Sequence, residues 1–154
     1  MSTVLKEGGK APAFTIETTG GLRRLKDFAG RHLVLYFYPK DDTPGCTQEA
    51  LDFSAQAKAF EKAGAVVLGV SRDPLTRHEK FSAKYKLNVL LGSDEAGEVS
   101  DAYGTWQEKS MYGRAFMGMV RCTYLIGPTG KIVRIWPKVK VKGHADEVLE
   151  ALGN

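Results

Sequence analysis

The residue best suited to chemistry in this sequence is Cys46, which follows an apolar run and a short polar loop. Thr43 is a favourable N-cap residue and Pro44 is favourable at the first helical position, so a helix is predicted to begin there. Cys46 then falls in the first turn, where the helix dipole and free N–H groups stabilise negative charge. The position therefore favours the thiolate, which is the nucleophilic form of cysteine.

The spacing of apolar residues places Cys46 on the inward face of this helix. Ala50, Phe53, Ala57 and Phe60 continue from Cys46 in alternating steps of four and three residues, as one helix face requires. A cysteine on such a face is either a reactive thiol in a pocket or an inert core residue, because free cysteine is often buried. Position alone leaves both interpretations open.

The elements around Cys46 are predicted to form one α/β domain over residues 1–154. In chain order they are a strand at 33–38, a helix at 44–62, a strand at 65–70, a helix at 74–86, strands at 119–126 and 131–136, and a helix at 144–152. The first three make a βαβ unit with parallel strands, and the last three make a hairpin followed by a helix. This order predicts a thioredoxin-like fold.

Two segments lie outside that core pattern. Residues 11–29 contain a turn at Gly20 and Gly21 between short β-prone runs, which predicts an N-terminal β-hairpin extension. Residues 87–118 contain a short strand at Val89–Leu91 and a helix near 96–103, followed by a connection rich in Gly and Met to which no element is assigned.

Composition argues against several classes of protein. The net charge of +4 is mild, and neither clustered basic residues nor a recognised binding motif points to nucleic acid. No apolar stretch is long enough to span a membrane, and no apolar run follows the first charged residues as it does in a secretory signal. We therefore expect a cytoplasmic protein that binds neither nucleic acid nor membranes.

Metal binding is not expected either. Cys46 and Cys122 are the only cysteines, there is no C-x-x-C motif, and His32, His78 and His144 lie far apart in the sequence. We expect no metal and no other cofactor.

Arg121 interrupts the otherwise mostly apolar strand predicted at 119–126. A buried arginine needs a partner, whereas an arginine on an edge strand can extend its charge to water, and both interpretations remain open. Strand alternation places Arg121, Thr123 and Leu125 on one face and Cys122 on the other. Cys122 is therefore expected to point away from Arg121 and to belong to the core.

Pro39, Thr43 and Cys46 spell P-x-x-x-T-x-x-C, and here the sequence resembles the peroxiredoxins. Residues 37–50, from Phe37 to Ala50, resemble the bacterioferritin-comigratory (Q-type) subfamily. The resemblance extends over nearly the whole chain through segments 9–14, 103–109, 112–121, 125–131 and 139–144.

The resemblance implies a thiol-dependent peroxidase that reduces hydrogen peroxide and organic hydroperoxides. Cys46 would be the peroxidatic cysteine, which is oxidised to a sulfenic acid. Thr43 would hydrogen-bond the sulfur or the peroxide oxygen, and Pro39 would shield the thiolate from water. Arg121 would face the sulfur, and Glu49 would orient Arg121.

The sequence departs from a common family pattern at the second step. Many relatives carry a resolving cysteine at the place of Leu51 or in the helix predicted at 74–86, and this chain has none at either place. We therefore expect an external thiol from a thioredoxin, glutaredoxin or glutathione system to resolve the sulfenic acid, in a monomer or weak homodimer.

Two other interpretations use the same fold. A thioredoxin- or glutaredoxin-like disulfide reductase would require C-x-x-C, and Thr43 occupies the place of its first cysteine. A non-catalytic peroxide sensor or binding module would be oxidised at Cys46 without turnover. Continued peroxide consumption in the presence of a reductant distinguishes an enzyme from such a sensor.

Overall fold

The computed structural model describes residues 5–153, which form nine strands and five α-helices. The strands are β1 Thr15–Thr18, β2 Gly21–Arg24, β3 His32–Phe37, β4 Ala65–Ser71, β5 Leu90–Ser93, β6 Trp106–Met111, β7 Arg114–Met119, β8 Cys122–Ile126 and β9 Ile132–Trp136. The helices are α1 Pro44–Ala55, α2 Ala57–Lys62, α3 Leu75–Tyr85, α4 Glu98–Ala102 and α5 His144–Ala151. None of the described helices is long and apolar enough to cross a membrane.

Seven strands form one mixed sheet in the order β2-β1-β5-β4-β3-β8-β9. The three central strands β5, β4 and β3 are parallel, β8 and β9 continue antiparallel on one side, and the hairpin β1–β2 joins the other edge. Because β3 and β4 are covered on both faces, their sequences are continuously apolar. The predicted thioredoxin-like α/β fold with an N-terminal hairpin is confirmed.

The two faces of the sheet carry separate cores. Leu35 and Phe37 of β3 belong to one core, whereas Val34 and Tyr36 belong to the other. The second core receives a buried residue from each of four helices, namely Phe53, Phe60, Phe81 and Val148 from α1, α2, α3 and α5. Since Cys46 belongs to this second core and lies in α1, it sits where α1 begins beyond the carboxyl end of β3.

The helix predicted at 44–62 is divided in two. Gln56 leaves the helical conformation between α1 and α2, and its side chain donates a hydrogen bond to Asp146 of α5. The predicted inward face survives the break, because Phe53 and Phe60 are both buried and their rings lie 5.7 Å apart.

The connection rich in Gly and Met, for which the sequence predicts no element, forms a separate two-stranded ribbon, β6–β7. Most of its residues are exposed, including Met111, Tyr112, Phe116 and Met117. A ribbon exposed on both faces needs no alternation of apolar and polar residues, so the usual sequence signal of a strand is missing.

The strand predicted to begin at 119 begins at Cys122 instead. Val120 and Arg121 connect β7 to β8, with the backbone N–H of Val120 donating to Thr105 and the carbonyl of Arg121 accepting from Val139. The prediction that Arg121 lies within this strand is therefore wrong, although the residues after it alternate as expected.

Candidate active site

Cys46 lies in the first turn of α1 and is 2 % exposed. Thr43 occupies the N-cap position with extended backbone and Pro44 opens the helix, so the predicted helix start is confirmed. The free N–H groups of this turn and the positive end of the helix dipole lie beside the sulfur. Local sequence thus places a buried thiol where negative charge is stabilised.

Arg121 joins Cys46 to Glu49 through one planar group. Its Nη2 donates to Sγ of Cys46 at 3.4 Å, and its Nη1 donates to Oε1 of Glu49 at 2.6 Å. The two acceptors lie one turn apart on α1, and the arginine side chain is 17 % exposed. A fixed cation beside the sulfur stabilises the thiolate.

Glu49 is almost completely covered. Burial raises its pKa from 4.5 to about 7, although the charge and hydrogen bond of Arg121 act in the opposite direction. Its second oxygen, Oε2, is buried and has no hydrogen-bond partner within the described part of the chain. Only the oxygen that faces Arg121 has a hydrogen-bond partner in place of the water lost on burial. The ionised carboxylate is therefore disfavoured, and the pKa is raised.

Thr43 and Pro39 lie in the loop that leads to Cys46. The hydroxyl of Thr43 donates to the carbonyl oxygen of Lys40 at 2.8 Å, and it does not cap the helix. Pro39 is exposed and directly follows the buried Tyr38. Their expected roles toward the sulfur and the peroxide therefore stay predictions.

Cys122 is placed on the other side of the sheet. It packs in the core that contains Phe37 and Tyr124, and its Sγ donates to the carbonyl oxygen of Pro137 at 3.2 Å. Burial, and to a lesser extent the charge of Glu49, raises its pKa to about 11. Both cysteines are free, and the geometry agrees with a core role for Cys122.

One group of side chains among the described residues has the composition of a metal site. Asp41, Asp73 and His78 offer ligand atoms that lie within 4.8 Å of one another. These atoms already bond one another or the backbone: Nδ1 of His78 lies 2.6 Å from Asp41 Oδ2, and Asp73 Oδ2 accepts from the Asp41 N–H. The group is thus a closed hydrogen-bond network, which the sequence analysis did not identify.

Comparison with known proteins finds a matching family model, together with curated relatives and solved structures that are named as peroxiredoxins. Residues 8–135 match the model of the AhpC/TSA family. Peroxiredoxin Bcp of Xanthomonas campestris pv. campestris is 49 % identical over 89 % of this chain and 86 % of its own length. Peroxiredoxin Bcp of Bacillus subtilis is 42 % identical over 94 % of this chain and 93 % of its own length. A solved structure of peroxiredoxin Q from X. campestris superposes with a TM-score of 0.86 at 48 % identity, covering 90 % of this chain and 89 % of that one.

Proposed function

Because this chain belongs to the AhpC/TSA family, among the bacterioferritin-comigratory (Q-type) peroxiredoxins, and is a thiol peroxidase, we propose that Cys46 is the residue that attacks the hydroperoxide. The observation that carries the proposal is the contact of 3.4 Å between the guanidinium of Arg121 and the sulfur of Cys46. Arg121, which Glu49 holds in place, stabilises both the thiolate and the negative charge that passes from the sulfur to the departing oxygen.

The first step is a nucleophilic displacement on oxygen. The Cys46 thiolate attacks one oxygen of ROOH, so an S–O bond forms while the O–O bond breaks. The sulfur is oxidised to a sulfenic acid, and the departing RO⁻ takes a proton from water to become ROH. Arg121 and the first N–H groups of α1 stabilise the charge on the departing oxygen, which is greatest while the O–O bond is breaking.

Thr43 and Pro39 are proposed to complete the site. The Thr43 hydroxyl, which donates to Lys40 in this structure, would turn toward the sulfur or the peroxide oxygen when substrate is bound. Pro39 would shield the thiolate from water. Neither residue changes its covalent state.

The sulfenic acid is proposed to be resolved by an external thiol. The attacking thiolate R′S⁻ forms a disulfide with Cys46 as the S–O bond breaks and hydroxide leaves, which takes up a proton to become water. A second thiol then restores Cys46 and leaves as R′SSR′. The chain has two cysteines in all, and Cys122 is directed into the other core. A thioredoxin, glutaredoxin or glutathione system would supply the thiol.

The substrates are proposed to be hydrogen peroxide and organic hydroperoxides. A structural study of the X. campestris bacterioferritin comigratory protein concerns its alkyl peroxide reduction activity, and that protein is 48 % identical to this chain. Since the cycle needs a thiol reductant, the cytoplasm, where such systems keep thiols reduced, is the proposed compartment. A monomer or weak homodimer is the proposed assembly.

Substitution of the sulfur tests the proposal. In Cys46→Ser, peroxide consumption with a thiol reductant should be abolished while circular dichroism stays unchanged, because the serine oxygen remains protonated at neutral pH. Cys122→Ser in the same assay is the matched control for loss of a buried thiol. Substantial turnover in Cys46→Ser would show that another group is the nucleophile.

The same assay addresses the interpretation as a sensor. An enzyme consumes many equivalents of hydroperoxide per chain as long as reductant is present, whereas a sensor is oxidised about once. The curated relatives are named as peroxiredoxins, which favours repeated turnover.

A further inference from the structure

We propose that Asp41 and His78 form a buried ion pair that positions the loop leading to Cys46, and that the reaction with hydroperoxide depends on this pair. The inference rests on the proposed function of Cys46 and adds two positioning residues to it. Neither residue contacts the sulfur in this structure. Their effect is exerted through the loop between β3 and α1, which contains Asp41.

The hydrogen-bond partners of His78 define its protonation. Nδ1 lies 2.6 Å from Oδ2 of Asp41, and Nε2 lies 2.9 Å from the carbonyl oxygen of Gly92. With Asp41 ionised, its Oδ2 and the carbonyl oxygen of Gly92 only accept hydrogen bonds, so both ring nitrogens carry hydrogen. The ring is then an imidazolium.

The shared proton could instead reside on Asp41, which would leave Nδ1 of His78 without hydrogen. The other hydrogen bond to Asp41 favours the proton on the ring. Oδ1 of Asp41 accepts from the hydroxyl of Tyr38 at 2.6 Å, which supports the ionised carboxylate. Since Asp41 and His78 are both 0 % exposed, the two opposite charges compensate each other away from water.

Asp41 connects the loop to three neighbouring elements. His78 lies on α3 and is itself bonded to Gly92 of β5. The backbone N–H of Asp41 donates to Oδ2 of Asp73 at 2.9 Å, and the hydroxyl of Ser71 at the end of β4 donates to the same oxygen at 2.7 Å. Hydrogen bonds to both the side chain and the backbone of Asp41 therefore fix the loop at this residue.

The residue after Asp41 has an uncommon backbone conformation. Asp42, the next residue, has a φ of 58°, which lies in the left-handed region that non-glycine residues seldom adopt. Such a conformation persists when its surroundings impose it. The chain then continues directly through Thr43 into the first turn of α1, which carries Cys46.

The site has little tolerance for a shift of this loop. Arg121 contacts Cys46 at 3.4 Å and is itself fixed by Glu49, so a displaced first turn would lose the contact. Displacements of about 1 Å, even when caused by remote substitutions, can lower rates on the order of a hundredfold. Removing one partner of a buried ion pair leaves the other charge uncompensated, which favours such a displacement.

A second ion pair between the same loop and the same helix supplies a matched control. Nζ of Lys84 on α3 lies 2.7 Å from Oδ2 of Asp42, with side-chain exposures of 58 % and 36 %. Exposed pairs contribute little because water and salt screen them. If any link between α3 and the loop were sufficient, loss of Lys84 would matter as much as loss of His78.

The first arm of the experiment is NMR spectroscopy of ¹⁵N-labelled wild-type protein at neutral pH, without peroxide. The expected result is a His78 ring with hydrogen on both nitrogens. A ring with Nδ1 unprotonated would overturn the ion pair. Because this arm needs no peroxidase activity, its outcome is separate from that of Cys46→Ser.

The second arm measures the second-order rate constant of Cys46 with hydrogen peroxide in His78→Gln, Asp41→Asn, the double variant and Lys84→Met, each checked by circular dichroism. Each single variant of the buried pair should lose on the order of tenfold to a hundredfold. The double variant, in which neither charge is left alone, should lose less than the product of the two single losses. Lys84→Met should react like wild type.

Wild-type reactivity in a folded His78→Gln variant would overturn the positioning role. So would strictly multiplicative losses in the double variant, or an equal loss in Lys84→Met. If the single variants fail to fold, the ring protonation of the wild type still tests the ion pair, and wild-type reactivity in a folded double variant would overturn the positioning role.

Discussion

Gly45 leaves the space that the guanidinium of Arg121 occupies. A Cβ atom at this position would lie 3.1 Å from Nη2 of Arg121, closer than ordinary van der Waals contact allows. That same Nη2 donates to the sulfur of Cys46. The glycine before the cysteine therefore permits the contact on which the proposed chemistry depends.

Gly45→Ala should lower the rate with hydroperoxide without lowering stability. Alanine is about 1 kcal/mol more favourable than glycine in a helix, so the free energy of unfolding should stay the same or rise. Because the added methyl group would lie 3.1 Å from Nη2, the guanidinium should move by a few tenths of an ångström away from the sulfur while Nη1 keeps its bond to Glu49. Stopped-flow oxidation of Cys46 and urea denaturation measure the two quantities.

Gln48→Ala is the control for this substitution, since Gln48 lies on the same helix and its side chain bonds Asp52. It should react like wild type. Equal rates in Gly45→Ala and wild type would show that Arg121 has room to move without consequence.

Arg121→Lys should react much more slowly with hydroperoxide, although it keeps the positive charge. The guanidinium reaches Glu49 and Cys46 with two different nitrogens, and a lysine ammonium cannot reproduce that planar fork. Loss of one such contact to a transition state costs about 3 kcal/mol, which is on the order of a hundredfold in rate. Arg134→Lys, at an exposed arginine on β9, is the control. A nearly normal rate in Arg121→Lys would remove this residue from the mechanism.

The raised pKa of Glu49 makes stability depend on pH. In the folded protein burial raises this pKa from 4.5 to about 7, so between these values the folded state binds a proton that the unfolded state has released. The free energy of unfolding of the wild type should therefore fall as pH rises through this window, and the fall should be missing in Glu49→Gln. Urea denaturation at a series of pH values measures the difference between the two proteins.

Glu61→Gln, at an exposed position of α2, controls for the change from carboxylate to amide. A wild-type stability that stays constant or rises relative to Glu49→Gln across this pH window would contradict the raised pKa of Glu49.

Much of the site follows from local signals in the sequence. The apolar run of β3, the N-cap at Thr43 and the proline after it together place Cys46 in a first helical turn. The inward spacing from Cys46 to Phe53 correctly predicts their shared core. These features depend on neighbours along the chain, which is why they can be predicted.

The features that were missed depend on distant residues. Asp41 and His78 are paired because α3 packs beside the loop, and neither residue has a local pattern that indicates a partner. The ribbon β6–β7 lacks strand periodicity because most of its side chains face water. Arg121 was placed within a strand because mostly apolar residues surround it, whereas backbone bonds to Thr105 and Val139 hold its segment outside the sheet.

The last prediction concerns the fate of oxidised Cys46. Cys122 pairs with Phe37 in the sheet and points into the opposite core, with its sulfur bonded to the carbonyl of Pro137. A disulfide requires Cα atoms within about 7 Å and converging Cβ atoms, and side chains on opposite faces of a sheet do not converge. One equivalent of peroxide should therefore leave a sulfenic acid at Cys46, and excess should convert it to sulfinic acid.

Peptide mapping under non-reducing conditions after one equivalent of peroxide tests this, with Cys122→Ser assayed for turnover alongside. Catalysis should continue only when an external thiol is supplied, through a mixed disulfide at Cys46. Cys122→Ser should turn over like wild type and lose about 1 kcal/mol of stability, because a hydroxyl replaces a buried thiol. A dominant Cys46–Cys122 disulfide, within or between chains, combined with loss of turnover in Cys122→Ser, would instead establish a two-cysteine cycle.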